Sequence, residues 1–217
     1  MEREEVKACI EEIGIFPGIR VNSADQALFS AEILWGAGIP VAEITMTTPG
    51  GIEAIRTLAQ VFPEMAVGAG TVLDVETAMR CLDAGARFIT STGLVPEVIE
   101  TTLKANVVSI PGALTPTEVI ACWKAGADFV KIFPIAPLGA DLYVRSLKLP
   151  LPQVKLIAAG GVNKQNAANL IRAGASALGV GMELLPRDAV LKRQDHRIHE
   201  LARRFLGFVA DARSLPK

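Results

Sequence analysis

Four small tags punctuate the chain: Gly-Ala-Gly at 36–38, and Ala-Gly-Ala at 84–86, 125–127 and 173–175. Each closes a helix-like stretch and precedes an apolar one. Gly36, Gly85, Gly126 and Gly174 fit the left-handed position that ends a helix. Eight short stretches of β character accompany the tags: 16–21 (FPGIRV), 41–45 (VAEIT), 66–70 (AVGAG), 88–92 (FITST), 107–112 (VVSIPG), 129–134 (FVKIFP), 155–161 (KLIAAGG) and 177–181 (ALGVG). Their starts fall roughly 19 to 26 residues apart, about the length of one strand plus one crossover helix. Helix starts are marked as well. Thr115 is placed as an N-cap, with Pro116 at the first helical position and Glu118 completing a capping box. Thr48 and Asn163 can cap in the same way. Eight strand–helix units with no linker or composition break predict one (β/α)8 TIM barrel, an α/β fold, as a single domain over 1–217. A helix is expected at each end, over 1–14 and 193–213. A doubly wound open sheet is the structural alternative.

Half of the 217 residues are hydrophobic, so the chain can bury a large core. Twenty-two basic and 23 acidic residues are scattered along it. That balance gives no footprint for nucleic acid or for an anionic membrane. The start, MEREEVKACIEEIG, is amphipathic and charged, unlike a signal peptide, and no apolar run has the length of a membrane span. Cys9, Cys81 and Cys122 are an odd number at wide spacing and read as reduced thiols of a cytoplasmic protein. Trp35 and Trp123 fall in helical patterns and read as core or subunit contacts. His196 and His199 lie on a polar helix face with no clustered partners, so neither a metal nor a cofactor is expected.

Strand residues alternate faces, and alternation sorts the polar residues. In FVKIFP, Val130 and Ile132 share one side, and Phe129, Lys131 and Phe133 the other. In VAEITMT, Ala42, Ile44 and Met46 are apolar, opposite Val41, Glu43, Thr45 and Thr47. Arg20 opposes Ile19 and Val21. If the apolar faces pack on the surrounding helices, Lys131, Glu43 and Arg20 point into the barrel. One such charge reads as a structural ion pair, which adds little stability. Three on separate strands, two of them near C-terminal strand ends, point to the place where barrel enzymes put their chemistry. Keeping an ammonium charged among Phe129, Phe133 and small residues is costly, and the free amine can attack a carbonyl. Glu43 can then shuttle protons. Gly68 and Gly70 leave room for an adduct, and the Thr71 hydroxyl can orient a carboxylate. Gly160-Gly161 and Gly179 with Gly181 precede helical turns whose N–H groups suit phosphate; a tight turn explains each glycine pair equally well.

These residues, in this order, resemble the 2-keto-3-deoxy-6-phosphogluconate/4-hydroxy-2-oxoglutarate aldolase family, class I lyases on a (β/α)8 barrel. The specific pieces are AEIT, GAGTVL, IPGALTPTE, KIFP and GGVN. The resemblance implies Lys131 as the Schiff-base lysine, Glu43 as acid/base, Thr71 at the pyruvyl carboxylate, and Gly160, Gly161 and Gly181 around phosphate. It also implies a homotrimer. Three positions depart from the family pattern. Thr47 stands where many members have a carboxylate-binding arginine, a charge that Arg20 could supply. Ala159 replaces a threonine linked to stereochemical preference, and Met182 replaces a phosphate-gripping serine.

The expected reaction is cleavage of 2-keto-3-deoxy-6-phosphogluconate, 4-hydroxy-2-oxoglutarate or both, giving pyruvate plus glyceraldehyde 3-phosphate or glyoxylate. Three alternatives stand beside it. They are a 6-phosphogalactonate aldolase, a phosphate-binding isomerase or synthase without a covalent lysine, and a non-catalytic barrel that binds sugar acids.

Overall fold

The computed structural model describes residues 1–214; 215–217, the end of the expected domain, lie outside the described residues. Its strands are β1 (Ile15–Ile19), β2 (Val41–Thr45), β3 (Ala66–Gly70), β4 (Phe88–Thr90), β5 (Val108–Ile110), β6 (Gly112–Ala113), β7 (Val130–Ile132), β8 (Leu156–Ala159) and β9 (Ala177–Val180). The helices are α1 (Arg3–Ile13), α2 (Ala24–Gly36), α3 (Gly51–Val61), α4 (Val75–Asp83), α5 (Pro96–Lys104), α6 (Pro116–Lys124), α7 (Asp141–Lys148), α8 (Ala167–Arg172), α9 (Arg187–Leu191) and α10 (Asp195–Ser214). Every strand pair is parallel, in the order β5-β4-β3-β2-β1-β9-β8-β7-β6.

The two ends of that order are one stretch of chain. Pro111 separates β5 from β6 because it has no N–H to give to a ladder. On one side Ser91 N–H donates to the Ile110 carbonyl at 3.3 Å; on the other, Lys131 N–H donates to the Pro111 carbonyl at 2.9 Å and Phe133 N–H to that of Ala113 at 3.2 Å. Nine strand segments therefore make eight staves, and the (β/α)8 barrel is closed.

The inward and outward faces form separate cores. Outside, Ala42, Ile44, Val130, Ile132 and their equivalents pack against the helices. Inside, Phe16, Val41, Ala66, Phe88, Val108, Phe129, Ile157 and Ala177 fill the end of the barrel where the strands start, together with Val6 and Ile10 of α1. α1 is thus a plug. Arg3 fastens it through Asp128, whose side chain is 4% exposed, lies 2.9 Å from the Arg3 guanidinium and also accepts the Ser109 N–H. Arg213 of α10 holds the other end of α1 at the Glu11 and Glu12 carbonyls.

Local signals account for most helix boundaries. Thr115 and Glu118 form the expected capping box of α6. Ser23 and Asp74 cap α2 and α4 by accepting the N–H groups of Gln26 and Thr77. Three expectations are corrected. Gly36 is the last residue of α2, and the left-handed residue of that tag is Gly38, at φ 89°. Thr48 does not cap α3, which begins after Gly50. Asn163 accepts the N–H groups of Gln165 and Asn166 in a preceding turn, while the N-cap of α8 is Asn166. Among the described residues no helix is long and apolar enough to cross a membrane.

Candidate active site

Two residues further along six of the eight staves, the barrel interior changes character. Phe16 is followed by Gly18, Val41 by Glu43, Ala66 by Gly68, Phe88 by Thr90, Phe129 by Lys131 and Ala177 by Gly179. Bulk gives way to glycine and to polar side chains, and the space left is a cavity of about 520 Å³. It opens at the C-terminal strand ends, lined there by Thr71, Thr92 and the loops after β8 and β9.

At its base Lys131 and Glu43 are both buried, with 6% and 4% of their surface exposed. The Lys131 Nζ lies 3.2 Å from Glu43 Oε1. The Thr90 hydroxyl donates to the same oxygen, while no protein group among those described donates to Oε2. That oxygen remains free to meet a ligand. Lys131 Nζ also stands 6.0 Å from the centre of the Phe133 ring, which lines the cavity beside it.

Gly68 and Gly70 are required here, for a reason other than the one expected. A Cβ at Gly70 would lie 1.6 Å from Glu43 Oε1, and one at Gly68 would lie 2.2 Å from the Phe88 ring. They make room for the carboxylate and for the core, rather than for an adduct. Thr71 lines the cavity at φ 26°, a conformation costly for a β-branched residue and typical of functional sites.

Arg20 lines the cavity as an exposed residue one position beyond the end of β1. Thr48 pins the backbone on both sides of it: its hydroxyl donates to the Ile19 carbonyl at 3.4 Å and accepts the Val21 N–H at 3.2 Å. Thr47 is exposed and does not line the cavity. Its hydroxyl meets that of Thr45, which does, at 3.1 Å. Ala159, Gly160, Gly161, Gly179 and Gly181 all line the wall, and Met182 and Glu183 stand with them. Gly160 and Gly161 have φ 81° and 97°, and a Cβ on Gly161 would lie 2.3 Å from the Cβ of Ala136. The turn itself therefore demands glycine, whatever the loop binds.

Sequence reasoning missed Thr90, Thr92 and Glu183. The period-2 rule applied to FITST puts Phe88, Thr90 and Thr92 on one face and would have found the two threonines. For Glu183, in a turn after β9, no periodic signal exists. Among the described residues no group of His, Cys, Asp and Glu is arranged to hold a metal ion.

A family profile described as KDPG and KHG aldolase matches residues 6–201. The chain belongs to that aldolase family. It is accordingly an enzyme, a carbon–carbon lyase of the pyruvate-dependent kind. The 2-dehydro-3-deoxy-phosphogluconate aldolase of Pseudomonas aeruginosa is 29% identical over 202 residues, 93% of this chain and 92% of that protein. A Rhizobium meliloti protein, "Probable 2-dehydro-3-deoxy-6-phosphogalactonate aldolase", is 31% identical over 79% of this chain and 80% of its own length. Among solved structures, Legionella pneumophila KDPG aldolase, with pyruvate captured as a covalent carbinolamine, superposes with a TM-score of 0.84 at 30% identity, over 91% of this chain and 96% of that one.

Proposed function

We propose that the enzyme is a class I aldolase that cleaves a 4-hydroxy-2-keto acid to pyruvate and an aldehyde through a Schiff base on Lys131. The observation that carries this reading is the buried Lys131–Glu43 contact in a cavity lined by the loops at the C-terminal strand ends. The Lys131 amine attacks the C2 carbonyl, and loss of water leaves a protonated imine. Glu43 takes the proton of the C4 hydroxyl as the C3–C4 bond breaks, and the bonding electrons pass into the imine to give an enamine. The aldehyde leaves. Glu43 returns its proton to C3, and water releases pyruvate from the lysine.

Other residues hold the substrate in this scheme. Thr71 and Arg20 bind the carboxylate of the keto acid, Thr47 acts only by way of Thr45, and the loops of Gly160, Gly161, Gly179 and Gly181 surround the far end. Ala159 offers no hydroxyl near the reacting carbons. The gluconate-type and galactonate-type substrates are epimers at C4, so the enzyme is expected to cleave both, with rates within about ten-fold of each other. The galactonate-type relative favours keeping both epimers in the assay.

Pyruvate release, followed with a coupled dehydrogenase, tests the proposal. The native enzyme is expected to release pyruvate from such acids, and Lys131→Ala to release none. Turnover by Lys131→Ala would refute it. A cytoplasmic homotrimer fits the same reading: Leu73, Val75 and Met79, near the start of α4, are exposed apolar residues suited to a subunit contact. Sedimentation equilibrium distinguishes trimer from monomer.

A further inference from the structure

We propose that the substrate is an unphosphorylated 2-keto-3-deoxy sugar acid, with its one anionic group at the keto-acid end and an uncharged, hydroxylated tail. This rests on the Schiff-base reading and adds to it the chemical class of the tail.

Four charged residues line the cavity: Lys131, Arg20, Glu43 and Glu183. Lys131 and Glu43 face each other at its base. Lys131 is bonded to C2 of the bound substrate as a protonated imine, a cation held at the base beside Glu43, which leaves Arg20 as the other cation of the lining. The carboxylate next to the reacting carbonyl needs that cation. A second anionic group at the far end has no cation left.

The far wall is unsuited to an anion in its own right. Glu183 brings a carboxylate there, and it has no ion-pair partner among the described residues. Met182 is 79% exposed at the same rim, and a thioether donates no hydrogen bond. The Asn163 side chain is committed to its own turn, accepting from Gln165 and Asn166 and donating to the Gly161 carbonyl at 3.5 Å. A phosphate dianion is held by several charged or N–H donors. Here it would lie beside a like charge. A hydroxyl both donates and accepts, so it can donate to Glu183 while accepting from backbone N–H groups.

The test compares kcat/KM for 2-keto-3-deoxygluconate, its galactonate epimer and the 6-phosphates of both, at matched low ionic strength. The native enzyme is expected to favour the unphosphorylated acids by about ten-fold or more, the scale of one unfavourable charge contact. Glu183→Gln, and more so Glu183→Arg with Met182→Ser, should shrink that ratio by raising the phosphorylated arm. A native preference for the 6-phosphates, or a ratio unmoved by these variants, overturns the inference. Exchange of the pyruvate methyl protons into D2O, read by NMR, reports the Lys131 enamine with no tail involved. Exchange together with a phosphate preference overturns this inference alone; absence of exchange overturns the Schiff-base reading and this inference with it.

Discussion

At the scale of single residues, the site depends on what is missing at position 70. With no Cβ on Gly70, the Glu43 carboxylate fits between Thr90 and Lys131; a Cβ there would also come within 2.6 Å of the Thr90 hydroxyl. Gly70→Ala is therefore expected to displace the carboxylate and lower kcat by about 100-fold or more, the range of a lost general acid–base. Thr90→Val keeps the shape but removes the hydrogen bond that orients Glu43. It should lower kcat by about ten-fold with little change in KM, measured by steady-state kinetics alongside circular dichroism. The lysine and the glutamate were legible from sequence because a charge in a β-run stands out, and alternation says which way it points. Thr90 escaped because threonine is an ordinary strand residue, and only its register marks it. Arg20 was read as an inward residue from the same alternation; it lines the cavity from the position after β1 and is exposed there.

At the scale of elements, two threonines in similar sequence settings do different work. Thr115 caps α6, and Thr115→Ala should cost about 1 kcal/mol in urea unfolding. Thr48 instead ties the backbone around Arg20 to the hydroxyl of Thr45. Thr48→Val should raise KM several-fold while changing stability less than Thr115→Ala does. The capping box was legible because its two partners sit three residues apart; the contact of Thr48 is with another strand and leaves no local pattern. Two helices also carry buried thiols. Burial pushes Cys81 of α4 up to about 11 and Cys122 of α6 up to about 12, from an ordinary value of 9.0. The folded chain then holds these protons to higher pH than the unfolded one. Their contribution to stability is complete below about pH 9 and is lost as pH rises toward 11 to 12. Cys122→Ala should flatten that alkaline fall in stability, and at pH 8 the half-buried Cys9 should react with a thiol reagent before the other two.

At the scale of the whole molecule, the barrel has a stability end and a chemical end. α1 and the inner core close the first; the cavity opens at the second. Arg3→Ala removes the nearer of the two cations at the Asp128 carboxylate, leaving Lys7 at 3.6 Å, and should cost about 1 kcal/mol in urea unfolding, with kcat unchanged because the pair lies at the opposite end from Lys131. The barrel was legible from the spacing of its strands, since each strand–helix unit has nearly the same length. The break at Pro111 was not, because it is a matter of one missing donor in a continuous apolar run. Everything proposed about function depends on covalent attack by one enclosed amine. The most direct measurement is reductive trapping: the enzyme is incubated with pyruvate and borohydride, and the intact protein and its peptides are weighed by mass spectrometry. One reduced pyruvyl group on the peptide carrying Lys131, absent from Lys131→Ala, is the predicted result; an enzyme that turns over yet stays unmodified, or carries the group on another lysine, would contradict it.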